Sequence, residues 1–364
     1  MISPLFQFIQ EFIILTEHFT KLFVIMKLLT LILLSLMFAA TACSKKDSPT
    51  APALIPTNVT LSALVTDKSG NVDFNAAATN ASVFIFDFGD GSTQTSATGG
   101  ITYKYNASGT YTVTVTAKSS GGQTATKSVV VTVDVTLSVA WSDEFNIDGL
   151  PDPAKWGYDL GGGGWGNNEL EYYTNRAENA AISGGTLKIT ARRENFSGSS
   201  YTSARLLTKG KYSFKYGKIE ARVKLPAGAG TWPAFWMLGD NISAVAWPGC
   251  GEIDIMEEVG NQANKIFGTL HHPGHSGANG DGGTTILNTA TSEFHVYSLE
   301  WSSTNIKFAI DGNTFYTFIN TAAVPFNQNF FIILNLALGG NFGGAIDPAF
   351  TSATMEIDYV RVYQ

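Results

Sequence analysis

Gly251-Glu252-Ile253-Asp254-Ile255-Met256-Glu257-Glu258-Val259-Gly260 is the stretch from which the architecture is read. Acid and apolar residues alternate from Glu252 to Ile255, and successive side chains of a strand point to opposite faces. Glu252 and Asp254 therefore share one face, while Ile253 and Ile255 enter a core behind it. Strict alternation would carry Met256 onto the acid face and Glu257 into the core. Burying an ionised Glu costs several kcal/mol or more. One extra residue near Met256, a β-bulge, resets the parity and returns Glu257 to the face of Glu252 and Asp254. Glu258 is expected to point away or to sit at the strand end.

The surroundings have the texture of sheets. The region from about Leu137 to Gln364 holds all seven tryptophans, with strands separated by Gly-rich or Asn/Gly turns and no long amphipathic helix. Length and texture predict a two-sheet sandwich of jelly-roll type, a design that can curve to form a cleft.

Three acids on one strand face raise one another's pKa, an arrangement that needs a task. Glycoside hydrolysis needs one carboxylate ionised and another protonated near neutral pH. Retaining enzymes hold the two groups about 5–5.5 Å apart. Strand residues 252 and 257 start farther apart, so sheet curvature and long Glu side chains must close the gap. Two blander readings stand beside this one, a solvated acidic strand and a calcium site. Isoleucines behind the acids weigh against the first, and metal sites usually draw ligands from a loop.

Glu-Ile-Asp-Ile-Met-Glu resembles the bulged catalytic signature of glycoside hydrolase family 16, in its laminarinase-like branch. Trp141-Ser-Asp-Glu-Phe145, Gly162-Gly-Gly-Trp-Gly-Asn-Asn-Glu-Leu170, Tyr201-Thr-Ser-Ala-Arg-Leu206 and Tyr216-Gly-Lys-Ile-Glu-Ala-Arg222 fit the same family in order. So do Thr231-Trp-Pro-Ala-Phe-Trp-Met-Leu-Gly239 and Ile357-Asp-Tyr-Val-Arg-Val-Tyr-Gln364. The resemblance implies an all-β, concanavalin A-like jelly roll over residues 137–364. It implies Glu252 as nucleophile, Glu257 as general acid and then base, and Asp254 as the group that separates their pKa values. Trp232, Trp236 and Trp247 would line the cleft, since indole faces suit the apolar faces of pyranose rings. Asn168 and Arg205 would bind sugar hydroxyls, a surface salt bridge being the plainer reading of Arg205. His271 would face the leaving-group side, with His272 and His275 satisfied structurally. No cofactor is expected for catalysis. A structural calcium ion would take Glu144 and Gly184 through carbonyls and Asp358 through its carboxylate.

The activity implied is retaining endo-hydrolysis of β-1,3-glucan (laminarin) or mixed-linkage β-1,3/1,4-glucan. The bulged spacing speaks against the transglycosylase and lichenase patterns of the same family. It does not separate laminarinases from agarase- or carrageenase-type galactan hydrolases, although the Trp-rich segments point to laminarin. A non-catalytic glucan-binding lipoprotein is the alternative of another class; such relatives typically lose the acids, and all three are present here.

Residues 58–135 form a separate Thr/Val/Ser-rich unit with period-2 runs such as Tyr111-Thr-Val-Thr-Val-Thr116. Regularly spaced short strands predict a small Ig-like sandwich. Asp87-Phe-Gly-Asp-Gly-Ser92 with Tyr105-x3-Gly109-x-Tyr111-x-Val113 resembles the PKD-type domain, and Asp87 and Asp90 are read as a structural turn rather than metal ligands.

Upstream, residues 26–42 run from Met26-Lys through an apolar stretch to Ala40-Thr-Ala42, a signal-peptide pattern. Cys43 directly after it resembles a bacterial lipobox, so Cys43 is expected to be acylated, with 43–57 as a tether. Residues 1–25 fit no signal design and are expected to lie upstream of the true start. The expected place is the cell envelope, as an outer-membrane, cell-surface or periplasmic lipoprotein touching membrane only through its anchor. The net charge of −7 gives no basic footprint for nucleic acid. A monomer is expected, with a β-glucan polysaccharide as partner. Of the two cysteines, Cys250 lacks a nearby base and is read as a buried apolar side chain.

Overall fold

The structure is a computed structural model that describes residues 54–364. The leader, its proposed start and Cys43 lie outside the described residues. Among the described residues, helix is confined to turns of three or four residues such as Gly260–Gln262 and Gly340–Gly343.

The first sandwich has a three-stranded sheet (Thr57–Val65, Asn71–Thr79, Gly100–Lys104) and a four-stranded one. The second contains Thr93–Ser96, Val83–Asp87, Gly109–Lys118 and Thr124–Val133. Period-2 patterning decides what goes inside: alternate residues Val72, Phe74 and Ala76 of one strand meet Val113, Val115 and Ala117 of another. Threonines take the outer face, where β-branched side chains suit a pleated surface. Asp87 accepts the Gly89 N–H, and Asp90 accepts the Ser92 N–H and the Tyr103 hydroxyl. Both carboxylates are engaged in shaping the turn.

The second sandwich begins at the Val139–Asp143 strand and packs a ten-stranded sheet on a seven-stranded one. The seven-stranded sheet runs in the order Asp281–Ile286, Lys265–His271, Glu252–Glu258, Thr231–Gly239, Phe330–Leu338, Arg205–Leu207, Gly157–Asp159. Phe235, Met237, Ile253, Ile255, Leu334 and Leu336 point inward to the shared core. Gly268 is there because the sheets close tightly: a Cβ would lie 2.7 Å from the Phe308 ring. Alternate residues of the same strands form the opposite, open face, with the acid-bearing strand third of the seven, beside the central strand Thr231–Gly239.

Candidate active site

Register across the seven-stranded sheet builds the site. One row reads Phe267, Glu257, Ala234, Asn335, Arg205, Asp159. The next reads Thr269, Asp254, Trp236, Ile333, Leu207, and a third reads His271, Glu252, Leu238, Phe331. The three acids therefore stand on one face. The parity reset occurs at Ile255: Trp236 pairs with Asp254 while Phe235 pairs with Met256. Ile255 and Met256 are consecutive residues and both are in the core, at 1% and 0% exposure. Bulging lets two apolar side chains in a row go inward and Glu257 come out.

Glu258 ends the strand and points away from the acid face, as the sequence reading expects. It is fully buried on the inner side, where its Oε1 accepts the Asn264 N–H at 2.8 Å. Once the bulge has turned Glu257 outward, the next side chain must turn in. Burial pushes its carboxyl above the usual range.

The acids are tied by neighbours. His271 Nε2 lies 3.0 Å from Asp254 Oδ2 and 3.7 Å from Glu252 Oε1. On the other side, Trp232 Nε1 donates to Glu257 Oε1 at 2.8 Å. Burial pushes Glu252, Asp254 and Glu257 each up to about 8. For Glu252 and Glu257 the charge of Asp254 adds to the rise, while His271 draws Glu252 back down. Indole donation also favours ionised Glu257. Carboxyls packed this closely share protons, so the set is not fully ionised at neutral pH. It can present one carboxylate and one protonated carboxyl to the same substrate.

The aromatic residues divide by role. Trp232 and Trp236 are half-buried on the open face. Trp247 is 45% exposed, its ring 6.0 Å from that of His271 at the Glu252 end of the site. Ala234, between Trp232 and Trp236, stands opposite Glu257 and leaves room above it. Arg205 is not a free surface cation: its guanidinium packs over Trp236 at 4.8 Å and Trp165 at 5.0 Å, and its Nε lies 3.0 Å from Asp159. It thus combines the ion pair of the plainer reading with a place on the open face. Asn168 is exposed and donates to Asn341 Oδ1 at 2.9 Å, tying the glycine-rich loop to the Gly340–Gly343 turn.

Behind Trp236 lies a relay that sequence reasoning missed. Trp236 Nε1 donates to Asn335 Oδ1, Asn335 Nδ2 to the Tyr173 hydroxyl, and that hydroxyl to Glu169 Oε2, at 2.8, 3.0 and 2.8 Å. Glu171 lies beside it, fully buried, accepting the Leu338 N–H at 2.7 Å. Burial first, and then Glu169, hold the Glu171 carboxyl well above its ordinary value. The signal was present in Phe330-Phe-Ile-Ile-Leu-Asn-Leu-Ala-Leu338, where one Asn interrupts an apolar run and needs a partner.

Pairings Leu187↔Ile357 and Asp143↔Val360 gather the segments holding Glu144, Gly184 and Asp358. The carboxylate of Asp358 is bound by Arg222 at 2.7 Å, and that of Glu144 by Arg361. Arg222 engages only the Oδ2 oxygen of Asp358, so this pair by itself does not bar a cation from Oδ1. Two other groups have donor atoms within 4.8 Å of one another: Glu252, Asp254 and His271, and separately His272, His275 and Asp281. Cys250 is fully buried and free, as read from the sequence.

Residues 167–361 match the profile of glycosyl hydrolases family 16, and residues 46–133 match that of the PKD domain. A β-glucanase of Rhodothermus marinus is 47% identical over 242 residues, covering 62% of this chain and 85% of the relative. The X-ray structure of the laminarinase from Rhodothermus marinus superposes with a TM-score of 0.61 at 47% identity, covering 63% of this chain and 98% of that one. The catalytic domain of an endo-1,3-β-glucanase (laminarinase) from Thermotoga petrophila gives 0.59 at 42% identity, covering 63% and 98%.

Proposed function

The chain belongs to glycosyl hydrolases family 16, and on that premise we propose that it cleaves β-1,3-glucan internally with retention of configuration. The relatives are a β-glucanase and laminarinases, which makes laminarin the first substrate and mixed-linkage β-1,3/1,4-glucan the second. The observation that carries the mechanism is the bulged strand, with Glu252, Asp254 and Glu257 on one face between His271 and Trp232.

In this mechanism the Glu252 carboxylate, favoured in its ionised form by His271, attacks the anomeric carbon. Glu257, held protonated by burial and by Asp254, gives its proton to the departing glycosidic oxygen. Oε1 of Glu257 accepts the Trp232 N–H, so the proton sits on Oε2. The resulting glucosyl ester is then hydrolysed. Glu257, now a carboxylate, takes a proton from water, the water oxygen bonds to the anomeric carbon, and Glu252 leaves. Two inversions give net retention. Asp254 touches the site through Glu252, Glu257 and His271 and tunes them. Trp232, Trp236 and Trp247 supply ring faces for pyranose stacking, and Asn168 and Arg205 donors for hydroxyls.

Anchoring of the enzyme through acylated Cys43 in the cell envelope belongs to the same proposal and rests on the sequence 26–43. Mass spectrometry of the mature N-terminus from cells tests it: an unmodified Cys43 sinks the anchor.

Reducing-sugar release by the purified protein on laminarin, lichenan, agarose and κ-carrageenan in parallel tests the substrate. Release from laminarin is expected. Release only from a galactan keeps the chemistry and overturns the substrate, and silence on all four favours a binding protein.

A further inference from the structure

We propose that His272, His275 and Asp281 form a binding site for a divalent transition metal of the zinc class, separate from the carboxylate strand. The site lies where the Lys265–His271 strand turns back into the Asp281–Ile286 strand. His272 and His275 exchange both backbone hydrogen bonds, at 2.8 and 2.9 Å, around Pro273-Gly274. Gly274 supplies the left-handed backbone this tight turn requires, with φ of +85°. Paired residues of this kind project their side chains to the same side. The two imidazoles accordingly stack, 4.8 Å between centroids and 18° between planes.

Both rings then aim at one carboxylate. His272 Nε2 lies 2.9 Å from Asp281 Oδ2, and His275 Nδ1 lies 3.1 Å from Asp281 Oδ1. Metal–ligand bonds of about 2.0–2.2 Å set donors about 3.3 Å apart in a tetrahedral shell. The two nitrogen–oxygen spacings are close to that and all three donors lie within 4.8 Å of one another, so a metal replaces the bridging protons with an outward shift of the rings. Each imidazole proton moves to its other nitrogen, leaving a neutral ring that binds through the nitrogen now facing Asp281. Two imidazoles and a carboxylate suit zinc, copper or nickel rather than magnesium or calcium.

The shell is half rigid and half open. His272 is 6% exposed, and its ring is wedged edge-on against Phe326, 5.6 Å away at 86°. The His275 side chain is 53% exposed, which gives the ion a path in and a vertex for water. The neighbouring His271 belongs to the other cluster, with Glu252 and Asp254. A metal bound here would fasten the turn immediately after His271.

Calorimetric titration of the chelator-stripped full chain with zinc chloride alone tests the site, with cobalt(II) absorption as a second readout. One equivalent is expected to bind. His275→Ala, at an exposed position, should weaken binding by about tenfold or more, as should the isosteric Asp281→Asn, while Glu252→Gln should leave it unchanged. Absence of saturable binding overturns the proposal and leaves a His–Asp–His hydrogen-bond brace. Binding that survives His275→Ala but is lost in Glu252→Gln also overturns it, by placing the metal among the carboxylates.

Discussion

Replacing Asp254 by Asn should stabilise the protein at alkaline pH and cripple its chemistry. Asp254 is 4% exposed, and burial pushes its carboxyl up to about 8. The unfolded chain binds that proton only below about pH 4. The folded state therefore holds the proton more tightly, and ionising the group weakens the fold as pH rises between those values. Below the unfolded pKa the penalty is absent; above the folded one it is complete. Asn at 254 carries no such titration. One pKa unit corresponds to about 1.4 kcal/mol, and the whole gap would give about 6 kcal/mol as an upper bound. The imidazole of His271 at 3.0 Å offsets part of this, and Glu252 and Glu257 relax when their charged neighbour goes. A net gain of about 1–2 kcal/mol at pH near 8 is expected, a rise in Tm of about 3–6 °C for a domain of this size. Scanning calorimetry of both proteins near pH 4 and near pH 8 reads the difference directly. An equal change at the two pH values, or a loss at the higher one, refutes the electrostatic account of the cluster. In the same variant Glu257 loses the charge that helps hold its proton, so the alkaline limb of activity should move to lower pH.

Three further outcomes follow from the geometry. Trp232→Phe removes the N–H on Glu257, a charge-assisted bond of about 1.5–3 kcal/mol. Activity should fall about tenfold or more, and the alkaline limb should move up because the ionised form has lost a donor. Tyr173→Phe cuts the relay between Asn335 and Glu169, both buried, and should lower stability by about 1–3 kcal/mol in denaturant titration, with KM raised through a loosened Trp236. A structural calcium ion on Oδ1 of Asp358 and the Glu144 and Gly184 carbonyls predicts that calcium raises the Tm of the chelator-treated protein and that Asp358→Asn abolishes the rise; an unchanged Tm sinks the site.

Much of the site was legible because one physical conflict had one cheap resolution. Glu257 cannot sit ionised in the core, so the strand must bulge, and the register shows the extra residue at Ile255. The same logic carried one residue further turns Glu258 away from the acid face, as expected. Its complete burial was not foreseen, because burying an acid looks prohibitive until a partner is known, and the partner, the Asn264 N–H, belongs to the turn that follows. What stayed hidden was non-local. Arg205 gave no hint in the sequence that Trp165 and Trp236 would enclose it, or that Asp159 would pair with it across a strand. Asp281 could not be linked to His272 and His275 until the hairpin turned back. The small sandwich was the easier reading, since its Thr/Val alternation needs no long-range partner to be interpreted.

The most direct test of the central claim is the anomer formed first. Proton NMR of laminarin during the first turnovers should show the new reducing end appearing as the β-anomer and only later relaxing to the equilibrium mixture. Initial release of the α-anomer would mean a single displacement by water, and Glu252 could not then be the nucleophile.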